Sequence, residues 1–268
     1  MSECTFDTLP PQPLASGIDF LAIGAHPDDV ELGLGGTLAK LSRLGMSTGI
    51  LDLTEGEKGT RGTREIRREE RRKAGNILGV QIRHTMAWPD SRLRDKTQWR
   101  EELAFVLRLL RPRLVAVHHA NCRHPDHIAA SHLVERTAMV AGLEKYLEGC
   151  QPQPFGLSEG TDLSPPPFRP DRVLFYGGWH HHKPSVIVDI SEDFETKKES
   201  VYTHKSQFFS PESTESDTLL SDPQFADWLE QRARFWGFRI GVDYGEPLTV
   251  KGEVPIVDPV STFGGCPW

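Results

Sequence analysis

The chain has 268 residues and is short of cysteine, of long apolar runs and of surplus positive charge. Its four cysteines, Cys4, Cys122, Cys150 and Cys266, lie far apart and form no C-x-x-C pair. That excludes a thiolate zinc knuckle and a disulfide framework, and it fits reduced thiols in a cytoplasmic protein. No apolar stretch approaches the roughly 20 residues that span a bilayer, so a membrane partner is not expected. The opening MSECTFDTLPPQPL has neither the basic n-region nor the apolar h-region of a secretory signal. With 31 basic against 38 acidic side chains the net charge is −7, which argues against nucleic acid as a partner. At 37% hydrophobic and 26% charged the chain is neither disordered nor collagen-like, and it can bury a sizeable core. What is plentiful is histidine, with eleven.

Residues 1–17, with Pro10, Pro11 and Pro13, read as a flexible leader. From Ile18 onward strands and helices alternate. Strands are expected over 18–24, 47–53, 81–88, 114–118, 173–176 and 186–190. Helices are expected over 33–44, 63–79, 98–110, 127–147, from Ser191 to about Gln207, and over 223–237. This order predicts an α/β fold, a Rossmann-like three-layer sandwich with a mostly parallel sheet, as a single domain over 18–250. Residues 151–171 carry six prolines and read as a surface loop insertion able to alter access to the site. The chain beyond Pro247, including a 251–268 tail, is expected to be irregular.

Two short segments carry the chemistry. His26-Pro27-Asp28-Asp29 follows the first strand, and His124-Pro125-Asp126-His127 follows the strand at 114–118. Ligands of an open parallel sheet bind outside the carboxyl ends of its strands, so the segments can converge although 98 positions (127 − 29) separate them. Imidazole and carboxylate suit a zinc ion with an open position for water. Adjacent aspartates repel unless a cation lies near, so one can bind metal while the other acts as a base. In the second segment His127 could bind metal while Asp126 orients a neighbouring imidazole. Either segment alone is also ordinary turn chemistry, since proline and aspartate favour turns. Two of them, each at a strand end, make coincidence a poor explanation.

Ala25-His26-Pro27-Asp28-Asp29-Val30-Glu31-Leu32-Gly33 together with His124-Pro125-Asp126-His127 resembles the PIG-L/LmbE-like zinc N-deacetylases. The resemblance spans about residues 18–250. It extends through Arg67-Arg68-Glu69-Glu70, Trp88-Pro89-Asp90, His182-Lys183-Pro184 and Lys205-Ser206-Gln207-Phe208. The later blocks are most similar to the bacillithiol-pathway branch, which deacetylates N-acetylglucosaminyl-malate. The resemblance implies zinc held by His26, Asp29 and His127, with iron(II) or cobalt(II) able to suit the same donors. It implies Asp28 as general base, His124 as oxyanion stabiliser or proton donor, and Asp126 as its orienter. Arg67, with Asp90, His182 and His204, would meet the substrate, a small acetylated amino sugar. A homo-oligomer is implied as well. Rival readings are the same chemistry on a mycothiol-type precursor, thiol conjugate or antibiotic intermediate, and a metal- and sugar-binding protein without turnover. The intact Asp28 and His124 speak against the last.

His204 stands where the branch has a tyrosine, and it reads either as that tyrosine's replacement or as a helix-surface residue. His180-His181-His182 reads as a pocket-lining loop, because consecutive strand residues point to opposite faces. His118 and His119 end a buried strand and read as core histidines, one of them able to support the ligands. Cys122 reads as an inert small hydrophobe. Gly33-Leu34-Gly35-Gly36 fails the dinucleotide spacing and reads as close packing at a helix start. The arginines between 61 and 72 read mostly as a solvated face paired with Glu65, Glu69 and Glu70.

Overall fold

The computed structural model describes residues 4–177, 183–208 and 214–263. Four strands build the centre: β2 (Ile18–Gly24), β3 (Thr48–Thr54), β4 (Ile82–Trp88) and β5 (Pro112–His118). They are almost wholly buried, as expected of parallel strands covered on both faces. With β1 (Thr5–Phe6), β6 (Arg172–Tyr176), β7 (Val186–Asp189) and β8 (Gly245–Val250) they form one sheet in the order β1-β4-β3-β2-β5-β6-β8-β7. The pairings from β1 to β6 are parallel, and β8 runs antiparallel to both β6 and β7.

The side chains of β2 alternate between two cores. Leu21 and Ile23 pack with α3 (Thr97–Leu110) and α4 (Pro125–Val140). Phe20 and Ala22 pack with Val30, Leu34 and Leu38 of α1 (Asp29–Arg43) and with Leu78 of α2 (Arg64–Leu78). This is the expected three-layer α/β sandwich. α5 (Phe194–Tyr202) lies on α1 and α2, and α6 (Phe225–Phe238) lies against β8. A Cβ on Gly33 would overlap the Tyr176 ring, and one on Gly36 would meet Ile190 at 2.6 Å. The glycines of α1 are therefore packing glycines.

The chain departs from expectation at several places. The leader is not loose from Cys4 onward. Thr5 and Phe6 pair with Ile82 and Arg83, Leu9 is fully buried, and Asp7 pairs with Arg71 at 2.7 Å. The chain after Pro247 is not irregular at first, since β8 enters the sheet between β6 and β7. Two of its residues hid it. Pro247 lacks an N–H, and Glu246 is a buried carboxylate that accepts from the Gly36 and Thr37 N–H groups and from Lys197. The helix after Ser191 stops at Tyr202, and α4 ends at Val140, just before Gly142. The described tail beyond β8 is irregular as expected up to Asp258, and then holds a short α7 (Pro259–Phe263). Residues 151–171 contain neither helix nor strand and bond to the leader (Leu9 N–H to Gly156 O, Asp162 N–H to Pro11 O).

Candidate active site

The sheet order turns at β2, which is flanked by β3 on one side and β5 on the other. That is the switch point at which an open α/β sheet opens a crevice. Both His-Pro-Asp segments leave the carboxyl ends of these two central strands and each starts a helix. Asp28 is the N-cap of α1 and His124 the N-cap of α4, with Pro125 in its first turn.

Asp28 has φ 112° and ψ −28°, a region that costs a non-glycine residue about 1–3 kcal/mol. Arg67 holds the turn in that shape. Its guanidinium donates to the Pro27 carbonyl at 2.6 Å and the Gly56 carbonyl at 2.8 Å, and lies 3.5 Å from Asp28 Oδ2. Gly56 has φ 66°, and a Cβ there would overlap the guanidinium.

The other donors converge beside Asp28. Asp29 Oδ1 lies 3.2 Å from His127 Nε2, and Asp29 Oδ2 lies 3.3 Å from His26 Nδ1 and 3.1 Å from His118 Nε2. His26 Nε2 faces Asp90 at 3.1 Å and Asp126 at 3.4 Å. The ligand atoms of His26, His124 and His127 lie within 4.8 Å of one another, as do those of Asp29, His118 and His127. Of the expected ligand set, Asp29 meets His26 through Oδ2 and His127 through Oδ1, while the groups that bring one ligand atom each within 4.8 Å also draw in His124, His118, Asp90 and Asp126.

The charges bear on what the site suits. Burial would drive protons off His26, but the Asp126, Asp29 and Asp90 carboxylates outweigh it and hold the imidazolium well above the usual range. His127 is likewise opposed by burial yet pushed up to about 9 by Asp29. Asp29 is held well below the usual range by His127 and His118 despite its burial. These imidazolium protons stand where a divalent cation would neutralise the same carboxylates. The donor set therefore fits a metal. Asp28 differs, because burial outweighs Arg67 and raises its carboxyl to about 6. Burial and the neighbouring His26 and His127 charges lower His124.

The expected substrate and orienting residues are placed less simply. Asp126 does not use its carboxylate on His124. Its backbone N–H donates to His124 Nδ1 at 3.2 Å, while the carboxylate accepts from the Ser91 and Leu93 N–H groups. Asp90 is buried and accepts from the Lys58 N–H besides facing His26. Arg67 lines the cavity, but its Nη1 and Nη2 donate to the turn, and its buried Nε has no protein partner among the described residues. His204 is fully buried, with Nε2 3.0 Å from Glu31 Oε1, so the helix-surface reading is wrong. His182, with His180 and His181, lies outside the described residues. The arginine run is only partly a solvated face. Arg72 does pair with Glu69, but Arg71 is buried against Asp7 and Asp52. Two partners were undervalued in the sequence. His118 touches Asp29 directly, and Cys122 Sγ lies 3.3 Å from His127 Nδ1. The signal for both was their place between the carboxyl end of β5 and the second motif.

These residues open into a cavity of about 400 Å³, also lined by Lys58, Arg123 and Gln207. No residue of 151–171 lines it, so the insertion does not shape its walls. A larger groove of about 700 Å³ between α2 and α5 contains none of the converging donors, so size does not identify the site.

Comparison with known proteins agrees with this geometry. The family model PIG-L, described as GlcNAc-PI de-N-acetylase, matches residues 21–138. Diacetylchitobiose deacetylase of Thermococcus kodakarensis is 34% identical over 70% of this chain and 69% of its own. An uncharacterized deacetylase of Escherichia coli is 37% identical over 69% of this chain and 90% of its own. Among solved structures, a conserved protein of Thermus thermophilus is 39% identical with TM-score 0.75, covering 90% of this chain and 97% of that one. N,N'-diacetylchitobiose deacetylase of Pyrococcus horikoshii is 26% identical with TM-score 0.73, covering 94% of this chain and 90% of that one.

Proposed function

This chain belongs to the PIG-L family of N-deacetylases, and from that premise we propose that it removes the acetyl group from an N-acetylglucosamine conjugate, with a divalent cation on His26, Asp29 and His127. The observation that carries the reading is the meeting of two His-Pro-Asp segments in one cavity, with a buried, strained Asp28 beside the ligand set. We take zinc as the cation, with iron(II) or cobalt(II) as alternatives on the same donors. Such an ion supplies Lewis acidity and brings the pKa of a bound water to about 7.

The rest of the work falls to the chain. Asp28, with its carboxyl at about 6, is ionised at neutral pH yet basic enough to take a proton from the attacking water. It then passes that proton to the amide nitrogen as the carbon–nitrogen bond breaks, leaving acetate and a free amine. His124 accepts the Asp126 N–H at Nδ1, so its neutral ring carries the proton on Nε2. That N–H donates a hydrogen bond to the oxygen on which negative charge develops. Asp126 positions His26 through its carboxylate and His124 through its N–H. His204 acts behind α1, on Glu31, and its imidazole lies close enough to bias Asp28 electrostatically.

Two conjugates are favoured by specific observations. The blocks from Trp88 to Phe208 favour N-acetylglucosaminyl-malate, a bacillithiol precursor, and Lys58 and Arg123 supply cavity cations for its carboxylates. The named relatives favour diacetylchitobiose. The reading includes one catalytic domain over 18–250, from the order of its elements, a cytoplasmic setting, from its scattered cysteines, and a homo-oligomer, from the family resemblance. Acetate release by the zinc-loaded protein should be followed on N-acetylglucosaminyl-malate, diacetylchitobiose and free N-acetylglucosamine. Turnover of either conjugate supports the reading, and release from none of the three removes it. For the malate conjugate, Lys58→Ala with Arg123→Ala should raise KM about tenfold and leave diacetylchitobiose unaffected.

A further inference from the structure

We infer that a second, smaller cavity behind the ligand set seats the methyl group of the acyl chain, and that Trp228 and Phe225 thereby fix the chain length the enzyme accepts. The inference rests on the deacetylase reading above and adds to it which acyl group is removed.

This cavity holds about 30 Å³ and shares Asp29, Leu32 and His127 with the larger one. The substituent on the carbonyl carbon under attack beside Asp29 and His127 is the part of the substrate nearest that shared wall, and it enters the small cavity by crossing it. The sugar is polar and large, and it belongs in the 400 Å³ cavity among Lys58, Arg123 and Gln207. The small cavity ends differently, on Leu32, Phe225 and Trp228 with Arg232 beside them, and more of its lining surface is apolar than polar. An apolar end favours an apolar occupant. The volume sets the size. A water needs roughly 10–15 Å³ by this measure, so 30 Å³ admits a methyl group and excludes a three-carbon chain.

The wall is also stiff. Phe225 is buried and lies with its ring centre 5.2 Å from Phe208 and 5.1 Å from Trp228. Arg232 sits over the Trp228 ring at 5.5 Å and donates to the Gly177 carbonyl. On the opposite side Gly33 and Tyr176 are packed so closely that a Cβ has no room. Phe225 and the half-buried Trp228 also line a separate groove of about 370 Å³, so what resists extra methylenes on this side is the ring and Arg232 contacts, and on the other the Gly33–Tyr176 packing.

The alternative occupant is an ordered water bonded to Asp29, His118 and the Tyr176 hydroxyl, which would leave acyl length unconstrained. The test offers N-acetyl, N-propionyl and N-butyryl forms of one glucosamine conjugate to the zinc enzyme and to Trp228→Ala. Discrimination of roughly 10–200-fold per methylene is the range a tight pocket achieves. The parent should lose at least tenfold in kcat/KM from acetyl to butyryl, and Trp228→Ala should raise the butyryl-to-acetyl ratio at least tenfold. Phe238→Ala, exposed on the same helix, should leave the ratio unchanged. Trp228→Phe serves as the milder variant if the alanine form does not fold.

A second readout needs no turnover. Acetate, propionate and butyrate are titrated into the cobalt-loaded protein while its visible spectrum is followed. Affinity should fall with length in the parent and flatten in the Trp228 variant. Equal use of all three acyl groups by the parent overturns the inference, and so does a folded Trp228 variant unchanged in both readouts. Failure of the parent to release any acetate removes the deacetylase reading instead, and the carboxylate series still decides the cavity.

Discussion

Asp28 combines an unfavourable backbone region, burial and a like-charged neighbour in Asp29, and each has a consequence. Asp28→Asn keeps the shape and removes the base. It should retain zinc by elemental analysis and lose about 10²–10⁴-fold in kcat. His26→Ala should lose both zinc and activity. Protonated Asp28 cannot accept a proton, so activity must fall on the acid side. Its carboxyl stands at about 6 without a cation, and a nearby cation favours the ionised form. The acid limb of kcat/KM for the zinc enzyme should therefore lie below 6. Arg67→Met removes the attraction that opposes burial, so it should move that limb upward in a pH–rate profile.

At the scale of elements, β1 depends on one buried contact. Arg71, 1% exposed, lies on α2 and is satisfied by Asp7 on the segment that follows β1. Asp7→Ala leaves that guanidinium with Asp52 alone, at 3.5 Å, and should cost about 1–3 kcal/mol in urea unfolding. The same contact explains why the leader was misread. Prolines at 10, 11 and 13 announce a loop locally, whereas the anchor lies 64 positions away and leaves no local pattern. β8 was hidden in the same way, since Glu246 and Pro247 look wrong for a strand until Thr37 and Lys197 are seen around the carboxylate. The central strands and their helices were legible because burial on both faces writes continuous apolar runs. The convergence of the two motifs was legible because both sit at strand ends. The role of Arg67 was not, because its partners are backbone carbonyls, which every residue has. His204 was equally opaque, since nothing near it in sequence indicates Glu31.

For the whole molecule, metal and protons compete for the same buried groups. His26 and His127 bind protons more tightly than free imidazole, and zinc must displace them. Zinc affinity measured calorimetrically should therefore rise with pH, with proton release on binding. Loading to a hundredfold excess over Kd should stabilise the fold by about 2.7 kcal/mol, visible as a higher Tm that a chelator reverses. His84 works in another direction. It is fully buried, and burial with Arg71 nearby lowers it to about 4. The unfolded chain binds this proton more readily than the native one, so stability should be full above about 6.5 and fall as the pH drops toward 4. Its share is at most about 3 kcal/mol, and His84→Phe should flatten that part of the stability profile.

The place of β8 in the sheet also bears on how the protein is made. β7 finds its neighbour in β8, which is synthesised nearly 60 residues later: Asp189 pairs with Gly245. At about 5–20 residues per second a ribosome takes several seconds over that stretch. Through that interval β6 and β7 are left with bare edges on a sheet whose two His-Pro-Asp segments are already made, while later lining residues such as Gln207 are still being added. The nascent enzyme is thus exposed to wrong strand pairing on the β6 side of the sheet, next to β5, and chaperone dependence should concentrate there.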